Sequence, residues 1–117
     1  MKLYIYRGLE NKKVPKDVTH VIVASSVTVI KKRAFFWCNH LVSVIMGDNV
    51  KRIEDGAFYW CSALRFVRLS KTLEYIGAFA FNGCDSLEAL FLPSTVKLIK
   101  HGGIRVLSII EIVDFAE

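Results

Sequence analysis

The residues with the greatest chemical reactivity in this chain are three cysteines at one spacing. Cys38, Cys61 and Cys84 lie 23 residues apart. Paired zinc ligands usually lie about two to four residues apart, so this interval does not favour a metal site. A cysteine nucleophile needs a base beside one activated thiolate, and nothing distinguishes any one of these cysteines from the other two. We therefore interpret them as a ladder of buried, reduced thiols that act as small hydrophobic side chains.

The other reactive groups also lack a recognisable catalytic arrangement. His20, His40 and His101 have no carboxylate partner at a recognisable spacing. Gly102-Gly103 lacks the Lys-Ser/Thr ending of a phosphate-binding loop and is interpreted as a turn. The sequence predicts that the protein is not an enzyme and has no catalytic residue, no metal site and no cofactor.

The cysteine interval is one column of a repeat that governs most of the chain. Residues of one type recur every 23 positions in four further columns: Ile30, Ile53, Ile76 and Ile99; Ala34, Ala57 and Ala80; Phe35, Phe58 and Phe81; Leu41, Leu64 and Leu87. One such unit cannot bury its own apolar residues, whereas stacked units bury each column against its copies in the next coil. The period therefore predicts a solenoid.

The repeat divides a single predicted domain, 1–117, into five parts. These are an amino-terminal cap with a partial repeat at 1–29, full repeats at 30–52, 53–75 and 76–98, and a degenerate repeat or cap at 99–117.

One strand is predicted in each repeat, typified by 41–46. We therefore expect a short parallel sheet along one side of the coil, with loops, turns and little helix on the other. Leu3 to Arg7 are expected to add a capping strand. In the last unit the same period places Ile112 level with Ala89.

Composition agrees with a folded domain. Of the 117 residues, 53% are apolar and 23% are charged, which excludes intrinsic disorder. No apolar run reaches the roughly 18 residues of a membrane span, and no secretory signal is apparent. Together with reduced cysteines, these features predict an intracellular protein.

The repeat resembles that of the BspA-like leucine-rich repeat proteins. The second unit carries their pattern of isoleucine, Ala-Phe, cysteine, leucine and an apolar strand at Ile53, Ala57, Phe58, Cys61, Leu64, Val67 and Leu69. The likeness covers residues 18–115. It implies an α/β leucine-rich-repeat solenoid that is right-handed, with a short parallel sheet on its concave face and turns with little helix on its convex face. It also implies protein–protein recognition and no catalytic residues.

The outward strand positions form the first candidate binding site. The core columns already supply the apolar residues that folding needs, yet these positions also hold large apolar side chains, as binding surfaces do. Arginines among them would orient a partner of mixed charge. We predict a protein or peptide site on this concave face at Ile22, Ile45, Arg65, Phe66, Arg68, Phe91 and Ile112. The alternative is a face that merely tolerates apolar residues or packs in a homodimer.

A second candidate patch lies between the Ala-Phe pair and the cysteine, near the convex side. It consists of Phe36, Trp37, Tyr59 and Trp60, where the third unit has Asn82-Gly83. Two interpretations stay open. Phe36 stacks on Tyr59 and Trp37 on Trp60 between neighbouring coils, or the four rings form an exposed patch of the composition found at interface hot spots.

Basic residues give the chain a net charge of +5. They cluster at 12–13, 31–33, 51–52 and 97–101, which we expect on more than one side of the coil. Nucleic-acid grooves need a continuous positive stripe with aromatic rings, so we interpret these clusters mainly as solvated loops and do not expect nucleic-acid binding.

Together these patterns predict a non-catalytic protein–protein interaction module whose partner is a protein or peptide. One alternative is a structural repeat fragment that self-associates into homo-oligomers. A basic nucleic-acid-binding protein is the other alternative and has less support.

Overall fold

The computed structural model describes residues 1–9, 11–104 and 109–113, the last of these as backbone alone. The longer strands are β1 Leu3–Tyr6, β2 His20–Val23, β4 Ser43–Ile45, β6 Phe66–Arg68, β8 Ala89–Pro93 and β10 Ile109–Val113. Two-residue strands alternate with them: β3 Val29–Ile30, β5 Arg52–Ile53, β7 Tyr75–Ile76 and β9 Leu98–Ile99. No helix occurs in the described ranges.

The strands form parallel ladders that run from coil to coil. Four longer strands pair in the order β1-β2-β4-β6, β8 pairs separately with β10, and the short strands pair in the order β3-β5-β7-β9. His20 pairs with Ser43 and Ser43 with Phe66, so the 23-residue period is the register of the sheet. The predicted parallel sheet, solenoid and capping strand β1 are confirmed.

The second ladder was not predicted. The side expected to hold only loops and turns also carries β3, β5, β7 and β9. A two-residue strand is too short to show the alternation by which strands are recognised in a sequence. The implied α/β class does not describe these residues, because two strands and their connecting turns take up the whole 23-residue unit. The right-handed sense of the coil and the concave curvature of its sheet stay predictions.

Stacked phenylalanines form the centre of the core. The Phe35 and Phe58 rings lie 5.1 Å apart and nearly parallel, and Phe58 and Phe81 lie 5.2 Å apart. All three side chains are fully buried. Tyr6 of β1 closes this column, with its ring 5.1 Å from that of Phe35 and its hydroxyl accepting a hydrogen bond from Lys31 N–H. Like residues therefore contact like residues across coils, as the repeat predicts.

The last coil departs from the period. Ala89 pairs with Ile109, a separation of 20 residues, and Ile112 pairs with Leu92. The predicted alignment of Ile112 with Ala89 is therefore wrong. The observed register places Glu111 opposite Phe91, whose side chain is exposed. A strand pairs in the register that matches its alternation of polar and apolar residues to that of its neighbour. Here that match decides the register, although the separation becomes 20 residues and departs from the 23-residue period.

Candidate binding surfaces

The cysteine ladder is structural. Cys61 Sγ donates to the carbonyl of Phe35 at 3.0 Å, and Cys84 Sγ donates to that of Phe58 at 3.1 Å. All three cysteines are buried and none forms a disulfide. Burial raises the pKa of Cys84 to about 12 and raises the pKa of Cys61 as well. The prediction of buried thiols is confirmed, and their hydrogen bonds to the preceding coil are a role that sequence reasoning missed.

The surroundings of the thiols within residues 1–9 and 11–104 do not match a metal-ligand set. Among the described residues, no three histidine, cysteine, aspartate or glutamate side chains come together as ligands. A protonated, buried thiol is also a poor nucleophile, since the thiolate is the reactive form.

The sheet face is the outward side of the longer strands, formed by Ile5, Ile22, Ile45, Phe66, Arg68 and Phe91. Phe66 is 56% exposed and Phe91 is 50% exposed. Ile5, Ile22 and Ile45 form one row across β1, β2 and β4 because these strands pair in register. The three isoleucines are all exposed. The row gains Ile5, which the sequence reasoning omitted because β1 lies outside the clear repeat.

Charged residues border the apolar row of the sheet face. Arg68 follows Ile45 in the same row, donates from Nη1 to the Met46 carbonyl at 2.8 Å and lies 3.7 Å from Asp48 Oδ1. Arg65 is exposed and directly precedes β6. These contacts hold one guanidinium at the rim of the apolar row.

The predicted site residues do not all lie on one sheet. Ile22, Ile45, Phe66 and Arg68 share the four-stranded sheet, whereas Phe91 lies in β8, which pairs with β10 and not with β6. Ile112 is paired with Leu92, and its side chain lies outside the described residues. The structure thus brings together the first four and leaves Phe91 on the next sheet.

The turn ledge, formed by Phe36, Trp37, Tyr59, Trp60 and Phe79, is the observed form of the second patch. The Phe36 and Tyr59 rings stack at 5.7 Å between coils, as one interpretation predicted. The tryptophans do not follow that interpretation. Trp37 stacks on Phe36 at 5.5 Å, and Trp60 packs on Tyr59 at 5.8 Å, each within its own coil. Trp37 is 57% exposed and Trp60 is 44% exposed, so both interpretations hold in part.

Phe79 is a ledge residue that sequence reasoning missed. Its ring lies 6.0 Å from that of Tyr59 and meets His101 edge-on at 5.6 Å. The signal available was a phenylalanine in a variable column, where the first unit has Arg33 and the second has Gly56.

The turns that carry the ledge need a left-handed backbone at two points. Trp37, Trp60 and Gly83 occupy one such column, with φ of 60°, 64° and 82°. The N–H of Trp37 donates to the Tyr59 carbonyl and that of Trp60 to the Asn82 carbonyl, both at 2.9 Å. These bonds link one coil to the next, so the fold requires the backbone conformation at this column.

A cationic cleft of about 350 Å³ lies beside the ledge. Six of its lining residues are basic: Lys12, Lys13, Lys16, Lys31, Lys32 and Arg33. The sequence reasoning placed four basic clusters on more than one side of the coil. The clusters at 12–13 and 31–33 meet in this cleft, whereas those at 51–52 and 97–101 do not line it.

Phe36 joins the cleft to the ledge. It lines the cleft, and its ring has Lys16 Nζ at 5.4 Å and the Arg33 guanidinium at 5.8 Å from its centroid. Lys16 Nζ also donates to the Phe36 carbonyl. The same ring stacks on Tyr59 and Trp37, so cations and aromatic faces form one continuous surface.

The repeat is matched by a known family. The model of the BspA type leucine rich repeat region, in six copies, matches residues 14–115. The chain belongs to the BspA-type leucine-rich repeat family. The resemblance stated from the sequence is thereby confirmed. A comparison with curated proteins finds no match.

Solved structures share the fold of this BspA-type chain. A leucine-rich repeat protein from Bacteroides capillosus is 29% identical with a TM-score of 0.75, over 82% of this chain and 78% of that chain. A leucine rich cell surface protein from Faecalibacterium prausnitzii is also 29% identical with a TM-score of 0.75. That match covers 84% of this chain and 27% of the other. A leucine rich repeat protein of T. pallidum, 19% identical with a TM-score of 0.59, shows the fold alone.

The described part of the chain contains no helix that is long and apolar enough to span a bilayer.

Proposed function

We propose that this BspA-type leucine-rich repeat chain is a non-catalytic module that binds a protein or peptide on its sheet face. The observation that carries the proposal is the exposed row of Ile5, Ile22 and Ile45 across three paired strands, with Phe66 beside it. We take this face to be the concave side of a right-handed coil, as in the family. The predicted intracellular location belongs to the same proposal.

Exposure of these side chains is not needed for folding. The residues that alternate with them along the strands, such as Val21 and Val44, are buried and already form the core. Each large apolar side chain that a partner covers contributes about 1.5–3 kcal/mol when it becomes fully buried. The three isoleucines of the row and Phe66 are about half exposed, so covering all four contributes about 3–6 kcal/mol. The other contacts of the interface must supply the rest of the free energy that offsets the entropy of association.

Arg65 and Arg68 orient the partner. Both are exposed next to Phe66, and Arg68 is held by the Met46 carbonyl and Asp48. A cation at the rim of an apolar patch selects the direction and register of a partner more than it adds to affinity.

The experiment compares partner recovery between the wild type and a variant of the sheet face. Ile45→Ser combined with Phe66→Ser removes apolar surface without touching the core. Leu98→Ser is the matched control, since Leu98 is an exposed apolar side chain on β9, in the other ladder. The wild type, the sheet-face variant and the control are each used for quantitative affinity capture from the native cell. Partners recovered with the wild type should be lost with the sheet-face variant and retained with the control. Equal recovery with all three proteins would contradict the proposal.

Self-association is the second candidate, and the edge strand favours it. Among the described strands β1 pairs only with β2, and it exposes Leu3 and Ile5, so its other edge can accept a strand from another chain. Sedimentation would then give a mass above 13.3 kDa that depends on concentration. Replacing Leu3, an exposed residue of β1 outside the sheet face, by lysine should return the protein to a monomer while leaving partner capture through Ile45 and Phe66 intact.

A further inference from the structure

Four bulky residues in the described part of the chain adopt the left-handed backbone, and all four lie on one surface. Arg33, Trp37, Trp60 and Phe79 have φ of 56°, 60°, 64° and 58°. Arg33 lines the cationic cleft, and the other three belong to the turn ledge. Gly56, Gly83 and Gly102 hold the same conformation at the equivalent positions of other coils.

The backbone favours glycine at these positions. A left-handed conformation costs a residue with a Cβ about 1–2 kcal/mol, and glycine nothing comparable. Burial compensates only in part, because Trp37, Trp60 and Phe79 each keep more than a third of their surface exposed. Bulky residues that persist in a disfavoured conformation are found mostly at functional sites. Folding thus explains the left-handed turn and part of the aromatic packing on it, but not the ring surface that stays exposed.

Cations and rings lie next to one another on this surface. A second cavity of about 260 Å³ lies next to the cleft and shares Lys32 and Arg33 with it, while Tyr59 and Phe79 form its aromatic wall. Asp55 also lines this cavity, but its Oδ1 accepts the Ala78 N–H at 2.9 Å. The surface therefore offers positive charge and flat apolar faces at two adjacent places.

We propose that the cationic cleft and the turn ledge together bind single-stranded nucleic acid, with phosphates on the cleft lysines and bases stacked on the ledge rings. Single-stranded nucleic acids combine a regular series of negative charges with flat faces that stack on aromatic side chains. An acidic peptide supplies the charge without the flat faces, and a neutral glycan supplies the faces without the charge. The net charge of +5 also steers polyanions towards the protein.

The two tryptophans of the chain are both ledge residues, so intrinsic fluorescence reports directly on the site. The intact protein is titrated with an oligouridylate of about 15 nucleotides, within the range of known single-strand sites. We expect tryptophan quenching on binding. If four phosphates contact the lysines, the affinity should fall about 50-fold as salt rises from about 50 to about 200 mM.

Variants separate the two halves of the site. Lys13→Glu with Lys32→Glu should weaken oligouridylate binding at least tenfold. Lys51→Glu with Lys71→Glu is the matched control, because it makes the same charge change at exposed lysines that line neither cavity. The control should bind within about threefold of the wild type, since distant charges are screened.

The aromatic half is tested with Trp37→Gly and Trp60→Gly together, followed by anisotropy of a labelled oligouridylate. Glycine occupies the equivalent Gly83 position, so the double variant keeps the turn. We expect at least a tenfold loss of affinity with an unchanged circular dichroism spectrum. Phe66→Ser is the control on the sheet face and should retain full oligouridylate binding, which separates this proposal from the protein-binding one.

Five outcomes would overturn the proposal, and the first four are measured with oligouridylate and poly-glutamate. These are no binding at low salt, binding that does not change with salt, full affinity in the double tryptophan variant, and poly-glutamate binding as tightly as oligouridylate. The last would show that negative charge alone is sufficient and would favour an acidic protein as the ligand. Heparin that binds with equal affinity and with equal tryptophan quenching would likewise exclude base stacking as the source of recognition.

Discussion

The inner and outer sides of the same turn differ in how strictly packing fixes the residue at each position. On the inner side, Phe35, Phe58 and Phe81 are identical and fully buried, with rings 5.1 and 5.2 Å apart. On the outer side, the position two residues later holds Trp37, Trp60 and then glycine. A side chain enclosed by its copies in the coils before and after cannot change size without a cavity or a clash. An exposed side chain is less constrained, so residues of different size can occupy the outer position in successive coils.

Phe58→Ala tests the inner side and should have the largest effect. It removes the central ring of a stacked column, and we expect the free energy of unfolding to fall by about 3–5 kcal/mol. Urea denaturation followed by circular dichroism measures the change. Lys71→Ala, at an exposed turn, is the control and should change stability by less than about 0.5 kcal/mol. Similar losses for both variants would show that the phenylalanine column is not the core.

Gly77→Ala tests how closely neighbouring coils approach away from the phenylalanines. A Cβ at Gly77 would lie 2.5 Å from the Asp55 N and 2.7 Å from the Glu54 carbonyl carbon, so the backbone of the preceding coil would have to move. We expect a loss of about 1–3 kcal/mol. At Gly47 the nearest atom is Ser25 Cα at 3.3 Å, so Gly47→Ala should cost less. The reverse order of thermal stability would contradict this account.

Alkaline pH should weaken the inner side through its thiols. Burial raises the pKa of Cys84 from its ordinary value near 9 to about 12 in the folded state. The unfolded chain therefore loses this proton first, and the stabilisation that is complete below pH 9 is lost as pH rises towards 12. Each pH unit in this window lowers the unfolding free energy by about 1.4 kcal/mol per thiol.

Comparison with Cys84→Ala isolates that contribution from lysine and tyrosine titration. Urea unfolding at pH values between 9 and 11 should show a shallower pH slope for the variant, by about 1.4 kcal/mol per pH unit. Identical slopes would mean that the thiol is accessible to solvent in the folded protein.

Trp60→Gly tests the outer side and should have the smallest effect. Relief of the left-handed backbone at φ 64° returns about 1–2 kcal/mol, while the lost packing on Tyr59 costs about 0.5–1.5 kcal/mol. The half-buried ring also loses some buried apolar area, so we expect a net loss of at most about 2 kcal/mol by urea denaturation, below that of Phe58→Ala. A loss approaching that of Phe58→Ala would mean that the ledge is part of the core and not a surface kept for binding.

The sheet face shows how far a sequence repeat predicts which residues lie together on an exposed face. Ile22, Ile45 and Phe66 were predicted to be exposed on one side, and the pairing of β2, β4 and β6 places them there because the period is also the register. The same inference failed at Ile112. There the consensus has decayed, and strand β10 pairs by its own alternation.

What the sequence alone determined is the solenoid and its core. A fixed interval of 23 residues brings each column onto itself in the next coil, so the stacking of Phe35, Phe58 and Phe81 follows from their spacing. The family follows from the same columns. No further structural information was needed, because a repeat converts sequence distance directly into spatial proximity.

Only the tertiary structure brought the cationic cleft and the turn ledge together. The loop carrying Lys12 and Lys13 lies outside the repeat, so no period indicates that it folds against residues 31–33. The sequence likewise does not show that Trp37 and Trp60 stand at left-handed positions, since that conformation arises from hydrogen bonds between coils. Residues that contact one another outside a repeating register are placed by the path of the backbone, which sequence spacing does not record.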